Sequence, residues 1–324
     1  MLLKLFLVVF ALLYVGKNSA LAQTGEQYPN RTVRIVHQYA AGGGNDIVAR
    51  IIADKLAERW SESVIVEPHP GGGGIKGIVD VVQAPPDGYV ILLASSALTI
   101  IPSLQKIPFD VPHSFSPIMK VGSVPFVLAA SKEAPFSSFE EFVAYARANP
   151  RSISYGSLGS GSPQHMGMEL LLAQLGIDLV HVPYSGSQAQ ILDIVAGRVQ
   201  IGFVSESSVS PFIKSGAVRP LAVASNVRRP SLPAIPTLAE VGLPKLHIEG
   251  WYGLLMKAGT PATIVNRIRN DVADILVGPA VQDRLRSLGI TSTPESDPSS
   301  FSALLSSEVD TWCATVSKLN MSNR

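Results

Sequence analysis

Three consecutive glycines, Gly42, Gly43 and Gly44, stand with Asn45 and Asp46 directly ahead of IVARIIADKLAERW, a segment with helical spacing. Glycine inside an element costs about 0.5–1 kcal/mol relative to alanine, so such a run marks a place where bare backbone is needed. Similar chemistry recurs at Pro70-Gly71-Gly72-Gly73-Gly74, at Ser95-Ser96, at Gly156-Ser157-Leu158-Gly159-Ser160-Gly161-Ser162 and at Pro183-Tyr184-Ser185-Gly186-Ser187. Each loop is rich in glycine or hydroxyls and opens a helix. Ser162 followed by Pro163 reads as an N-cap with proline at the first helical position. Ser187 with Gln190 reads as a capping box, and Asn45 or Asp46 can cap the first helix. A helix N-terminus offers unpaired N–H donors and about half a positive charge, and glycine lets a ligand approach them closely. The pattern suits an anionic group, most simply a carboxylate, held at backbone N–H groups. Ordinary strand-to-helix turns use the same residues. Several such loops facing one cleft favour binding.

Other chemistries find less support. Gly72-x-Gly74-x-x-Gly77 matches the dinucleotide fingerprint literally, but Pro68 and Pro70 separate it from its strand. There is no phosphate-binding G-x-x-x-x-G-K-[ST] loop and no G-x-S-x-G nucleophile elbow. The histidines at 37, 69, 113, 165, 181 and 247 are scattered without ligand spacing, so neither a metal nor a cofactor is expected. His165, in the first turn of the Pro163 helix, either bonds a ligand or packs beneath its loop. Tyr39, Tyr184 and Trp251 either wall the pocket or belong to the core. Glu206 follows a strand and either recognises an amino group or, the better reading, faces solvent.

The elements that would position these loops alternate. Strands are expected at 33–36, 64–67, 89–94, 152–155, 179–182, 199–204, 220–224 and 250–256. Helices are expected at 46–60, 75–83, 138–148, 163–175, 188–196, 260–276, 279–288 and 299–319. Continuous apolar strands separated by helices point to a parallel sheet covered on both faces. The fold class is therefore α/β, and ligands of open α/β sheets sit at the carboxyl ends of the strands. Two proline-containing extended stretches, at 123–126 and 243–248, mark two chain crossings. They divide the chain into one lobe of 28–125 plus 248–324 and a second of 126–247, with a cleft between. Residues 1–22 have the layout of a secretory signal peptide: Lys4, an apolar run from Leu5 to Gly16, and Ala20-Leu21-Ala22. The 324 residues carry 26 basic and 25 acidic side chains, which argues against a nucleic-acid partner. Cys313 is the only cysteine, so no internal disulfide can form.

The segments YPNRTVRIVHQYAAGGGNDIVARIIADKL, VIVEPHPGGGGIKG, APPDGYVILLAS, ISYGSLGSGSPQH, VHVPYSGSQAQILDIVAGRVQIGF, RPLAVAS, PAIPTLAEVGLP and WYGLLMKAGTP, in that order, resemble the Bug family. These are the periplasmic substrate-binding receptors of tripartite tricarboxylate transporters. The resemblance spans essentially the whole mature chain. It implies a type II periplasmic binding protein, two α/β lobes closing on a small carboxylate, and a membrane permease as partner. It implies no cofactor and no catalysis, and the chain is expected to act as a monomer. The family's cleft loops fall here on Gly42, Gly43, Gly44, Asn45 and Asp46, on Ser95 and Ser96, on Ser157, Ser160, Gly161 and Ser162, and on Tyr184 and Gly186. Tyr39, His165 and Ser205 complete the candidate ligand-binding set. The chain departs from the family pattern in Ala40 and Ala41, where prolines are usual, in Asn45, where threonine is common, and in Val204-Ser205-Glu206. These bear on the ligand's identity, not on the fold. A solute sensor and a secreted α/β enzyme using the same cleft are the alternative readings.

Overall fold

The computed structural model describes residues 28–318, apart from 245 and 247. The leader at 1–22, Leu319 of the last expected helix, and Lys245 and His247 of the second crossing lie outside the described residues. The chain runs β1 (Val33–His37), α1 (Gly44–Trp60), β2 (Val64–Pro68), a 3-10 turn (Gly72–Gly74), α2 (Ile75–Gln83), β3 (Val90–Ser95), α3 (Ala97–Leu104) and the single turn α4 (Val111–Ser114). It continues with β4 (Phe115–Ser131), α5 (Phe139–Ala148), β5 (Ser154–Ser157), α6 (Pro163–Leu175), β6 (Val180–Pro183), α7 (Ser187–Val195), β7 (Ile201–Ser205), α8 (Glu206–Lys214) and β8 (Val218–Ala224). The last elements are β9 (Glu249–Lys257), α9 (Ala262–Val277), α10 (Pro279–Ser287), β10 (Thr291–Ser292) and α11 (Pro298–Lys318). No helix among the described residues is long and apolar enough to cross a membrane.

The strands follow the order β2-β1-β3-β9-β4-β7-β5-β6, with β8 and β10 also paired to β4. β1 lies parallel to β2 and β3, and β5 parallel to β6 and β7. The sheet is nonetheless mixed, not parallel as the apolar runs suggest. β4 is antiparallel to β9, β7 and β8, and β9 is antiparallel to β3. A strand that runs through from one βα array into the next cannot keep the direction of both. β4 does so over 17 residues: it pairs with β9 as far as Pro125 and with β7 and β8 from Phe126 onward. We refer to the strands on either side of that point as the first and second halves of the sheet.

Separate apolar layers cover the two halves. Val33, Ile35, Ile52, Leu56, Leu254 and Ile268 pack on the first. Leu128, Phe142, Tyr155, Leu171 and Phe203 pack on the second. Burial on both faces explains why β3, VILLAS, reads as one apolar run instead of alternating. α3 and α8 are not visible as helices in the sequence. Each carries an internal proline, Pro102 and Pro211, which removes a backbone donor and usually ends a helix.

Candidate functional site

The first glycine-rich loop owes its shape to Asp46. Helix α1 begins at Gly44, with Gly43 as N-cap and no side chain capping it. Neither Asn45 nor Asp46 is therefore the cap; both lie in the first turn. The Asp46 carboxylate instead reaches back to accept from the Gly42 N–H at 3.1 Å. It also meets Arg50 at 2.9 and 3.0 Å and His37 Nε2 at 3.2 Å. Burial alone would raise its pKa. The Arg50 guanidinium, the Gly42 N–H and His37 outweigh that and hold it below the ordinary carboxylate range. Asp46 is thus committed to holding the loop. Burial also keeps His37 neutral, against the pull of Asp46.

The loop delivers Gly44 and Asn45 to a pocket between the two halves. Tyr39, Ser95, Ser96, Gly250, Trp251 and Tyr252 line it from the first half. Leu158, Pro163, Gln164, Ser187 and Ser205 line it from the second, with Val124 and Phe126 of β4 where the halves meet. No lining residue bears a formal charge. The polar wall is built from the starts of five helices: Gly44 and Asn45 open α1, Ser96 stands at the N-cap position of α3, Pro163 and Gln164 open α6, Ser187 opens α7 and Ser205 stands at the N-cap position of α8, neither serine making a side-chain cap bond. Five helix starts, each with its partial positive end, border one small space.

The side chains there carry a second signal. Tyr39 Oη, Asn45 Nδ2, Ser96 Oγ and Gln164 Oε1 are buried and have no hydrogen-bond partner among the described residues. Buried polar groups are nearly always paired, so four orphans on one pocket wall call for a polar occupant. Three of them can donate. Burial raises the Tyr39 phenol and pushes Tyr252 up to about 12, so both keep their protons at neutral pH. Ser95 and Ser205 are engaged locally. Ser95 N–H and Oγ donate to Gln38 Oε1 at 2.7 and 3.3 Å, and Ser205 Oγ donates to Ser208 Oγ at 2.9 Å. The apolar wall is Val124, Phe126, Leu158 and Trp251. The Trp251 indole N–H points away, to Glu308 at 2.9 and 3.1 Å, and burial lifts that carboxyl above its usual range.

Of the residues singled out from the sequence, Tyr39, Gly44, Asn45, Ser95, Ser96 and Ser205 lie on the pocket wall, as does Trp251. The others lie off the wall. Gly42 and Gly43 form the turn into α1. Ser157 is fully buried and bonds His181 Nε2 at 2.6 Å. Ser162 caps α6 through the His165 N–H at 3.2 Å, as its place before Pro163 suggests. His165 packs beneath its loop, its ring 4.5 Å from His181, and with Ser160 borders a separate outer groove. Gly161 packs on Ile101. Tyr184 donates to Asp193 at 2.8 Å, and Gly186 is the N-cap of α7.

Two expectations are overturned. Ser187 is not an N-cap: it is the first residue of α7, and Gln190 does not reach back to it. Gln190 Nε2 instead donates to the Gly156 and Phe203 carbonyls at 2.8 and 3.0 Å, tying the helix to β5 and β7. Glu206 faces neither solvent nor ligand. It is fully buried, bonded to Ser231 and paired with Arg229 at 3.2 Å, and Arg229 also donates to the Gly289 carbonyl at 2.9 Å. Sequence reasoning missed Gln164, Ser187, Tyr252, Val124 and Phe126 as wall residues. Gln164 lies two residues after the flagged cap Ser162, and Ser187 was read as a cap and not as a wall residue, so both were within reach of the same rule. Tyr252 comes from a strand more than two hundred positions after the first loop, and no local signal marks it.

Residues 48–321 match the model of the tripartite tricarboxylate transporter family receptor. The UPF0065 protein in the tcbD-tcbE intergenic region of Pseudomonas sp. strain P51 is 34% identical over 297 residues, 91% of this chain and 88% of that one. Among solved structures, the periplasmic binding protein BugD superposes with a TM-score of 0.88 at 32% identity, over 91% of this chain and 99% of that one. R. palustris Rpa4515, solved with adipate, gives 0.86 at 28% identity over 90% and 98%. The α/β architecture is that of periplasmic binding proteins, and the chain belongs to the tripartite tricarboxylate transporter receptor family.

Proposed function

We propose that this protein captures a small carboxylate-bearing solute in the pocket between its two halves and presents it to the membrane permease of a tripartite tricarboxylate transporter. The observation that carries this reading is the convergence of five helix starts with the orphaned donors Tyr39, Asn45 and Ser96, in a pocket without formal charge. A carboxylate has the sign and the lone pairs such a wall lacks. In this reading the halves are lobes that part to admit the solute, turning where β4 passes between them. Residues 1–22 direct export and are removed, the mature protein works as a monomer in the periplasm, and no cofactor takes part. The adipate held by Rpa4515 supports an organic acid as the ligand class. An acyl-transfer reading finds no accessible nucleophile at Ser157, which is fully buried.

The test is a thermal-shift screen of the protein against small organic acids, amines and sugars, followed by calorimetry on the hits. Binding to the folded state alone raises Tm by mass action. Carboxylates should stabilise the protein, and Asn45→Leu should abolish the shift. Stabilisation by sugars or amines alone would refute the reading.

A further inference from the structure

Outside the pocket the two halves touch directly, through one backbone–backbone and one side chain–backbone hydrogen bond. The Ala40 N–H donates to the Ser185 carbonyl at 3.0 Å, and Gln188 Nε2 donates to the Gly42 carbonyl at 2.8 Å. The first bond joins the loop after β1 to the loop before α7, and the second joins the same loop to the first turn of α7, across the mouth between the halves. A second contact lies beside the 3-10 turn. A Cβ on Gly73 would stand 2.4 Å from the Ser160 carbonyl oxygen, and one on Gly159 would stand 3.3 Å from the Gly73 Cα. Neither contact includes a residue of the pocket wall.

Gly186 is the informative member. Its φ of −172° and ψ of 163° are ordinary extended values open to any residue, so its own backbone does not require glycine. What excludes a side chain is the facing half: a Cβ there would lie 2.9 Å from the Ala40 Cβ. That separation is closer than real Cβ atoms come.

We propose that Ala40, Gly186 and Gln188 form a clasp that holds the cleft shut without touching the solute, and that this clasp, as well as the pocket wall, sets the solute affinity. The glycines at this seam serve lobe-to-lobe contact more than ligand approach. The inference rests on the proposed opening of the cleft. Its ligand-free readout, hydrogen exchange at the Ala40 amide, does not need the solute to be known. A closed form that is only fractionally populated lowers apparent affinity by that fraction. Two hydrogen bonds of ordinary net strength shift the closed-to-open ratio by on the order of tenfold.

The experiment compares wild type, Gly186→Ala, the double variant Ala40→Gly/Gly186→Ala, and Gln188→Ala. It measures exchange of the Ala40 amide in the ligand-free protein and affinity for an organic acid found by the screen. Gly186→Ala should speed exchange and weaken binding by on the order of tenfold. Ala40→Gly should restore both, since it removes the Cβ that the new one meets. Gln188→Ala, which adds no bulk, should show a smaller loss of the same sign. Unchanged Ala40 exchange in Gly186→Ala, or no recovery in the folded double variant, overturns the clasp. Faster exchange with unchanged affinity overturns its control of binding. If exchange responds as expected but no carboxylate binds, the clasp stands and the carboxylate reading falls.

Discussion

Tyr39→Phe separates a binding hydroxyl from a structural one. Tyr39 is 4% exposed, and its hydroxyl has no partner among the described residues. Leaving a buried hydroxyl unsatisfied costs about 1–3 kcal/mol. Water reaches the group whenever the cleft opens, so the lower end applies to the free protein. Removing the oxygen should then stabilise the solute-free protein by about 1 kcal/mol, or about 1.5 °C in Tm for a chain of this size. A hydrogen bond to a charged group contributes about 1.5–3 kcal/mol. Loss of the Tyr39 donor should therefore weaken carboxylate binding by roughly ten- to a hundredfold. The signature is the opposite sign of the two effects: the melting temperature rises while the affinity falls. Denaturation of the free protein and calorimetry with one ligand measure both. A variant that melts lower and binds unchanged would show the hydroxyl to be structural, and the argument from orphaned donors would fail with it.

Asp46→Asn should cost about 2–4 kcal/mol at pH 7, because it strips charge from a carboxylate serving Gly42, Arg50 and His37. The folded pKa of Asp46 lies below its ordinary value of 3.8, so its contribution is present above that value and lost as pH falls through the lower folded one. The gap between variant and wild type in urea should therefore close on acidification below about pH 4; a gap constant with pH would refute the assignment. Gly44→Ala should abolish binding, because its Cβ would fall 2.1 Å from Tyr252 Oη. Adding Tyr252→Phe should recover part of the folded-state stability, and full binding by the single variant would disprove the geometry. Burial lowers the pKa of His165 and of His181 from 6.5 to about 4. The unfolded chain then takes up protons first, so stability should fall as pH drops from 6.5 toward about 4, and His181→Phe should flatten that slope. An unchanged slope would show that these rings do not govern it.

Elements set by neighbours in sequence were legible in the residues. Helix α2 spans Ile75–Gln83 and α6 spans Pro163–Leu175, both as their spacing indicates. Ser162 caps α6, and Gly176 ends it in the left-handed conformation at φ 64°. Such features close within four residues, so they can be read without knowing what lies across the molecule. The hydroxyl- and glycine-rich loops were legible for the same reason, and with them a candidate site at helix starts.

What each loop residue does there depended on partners that the sequence does not place. Asp46 reads as a cap or ligand group until Gly42, Arg50 and His37 are seen to occupy it. Glu206 reads as a surface charge until Arg229, 23 positions away, neutralises it in the core. The glycine of Gly186 is required by Ala40, 146 positions earlier by the same pairing that joins Gln188 to Gly42. Caps, turns and periodicity are short-range consequences of backbone chemistry, and the sequence by itself determined those. Which atoms face the pocket, and which stay unpaired, follows from how the two halves meet through β4, and only the tertiary structure decided that.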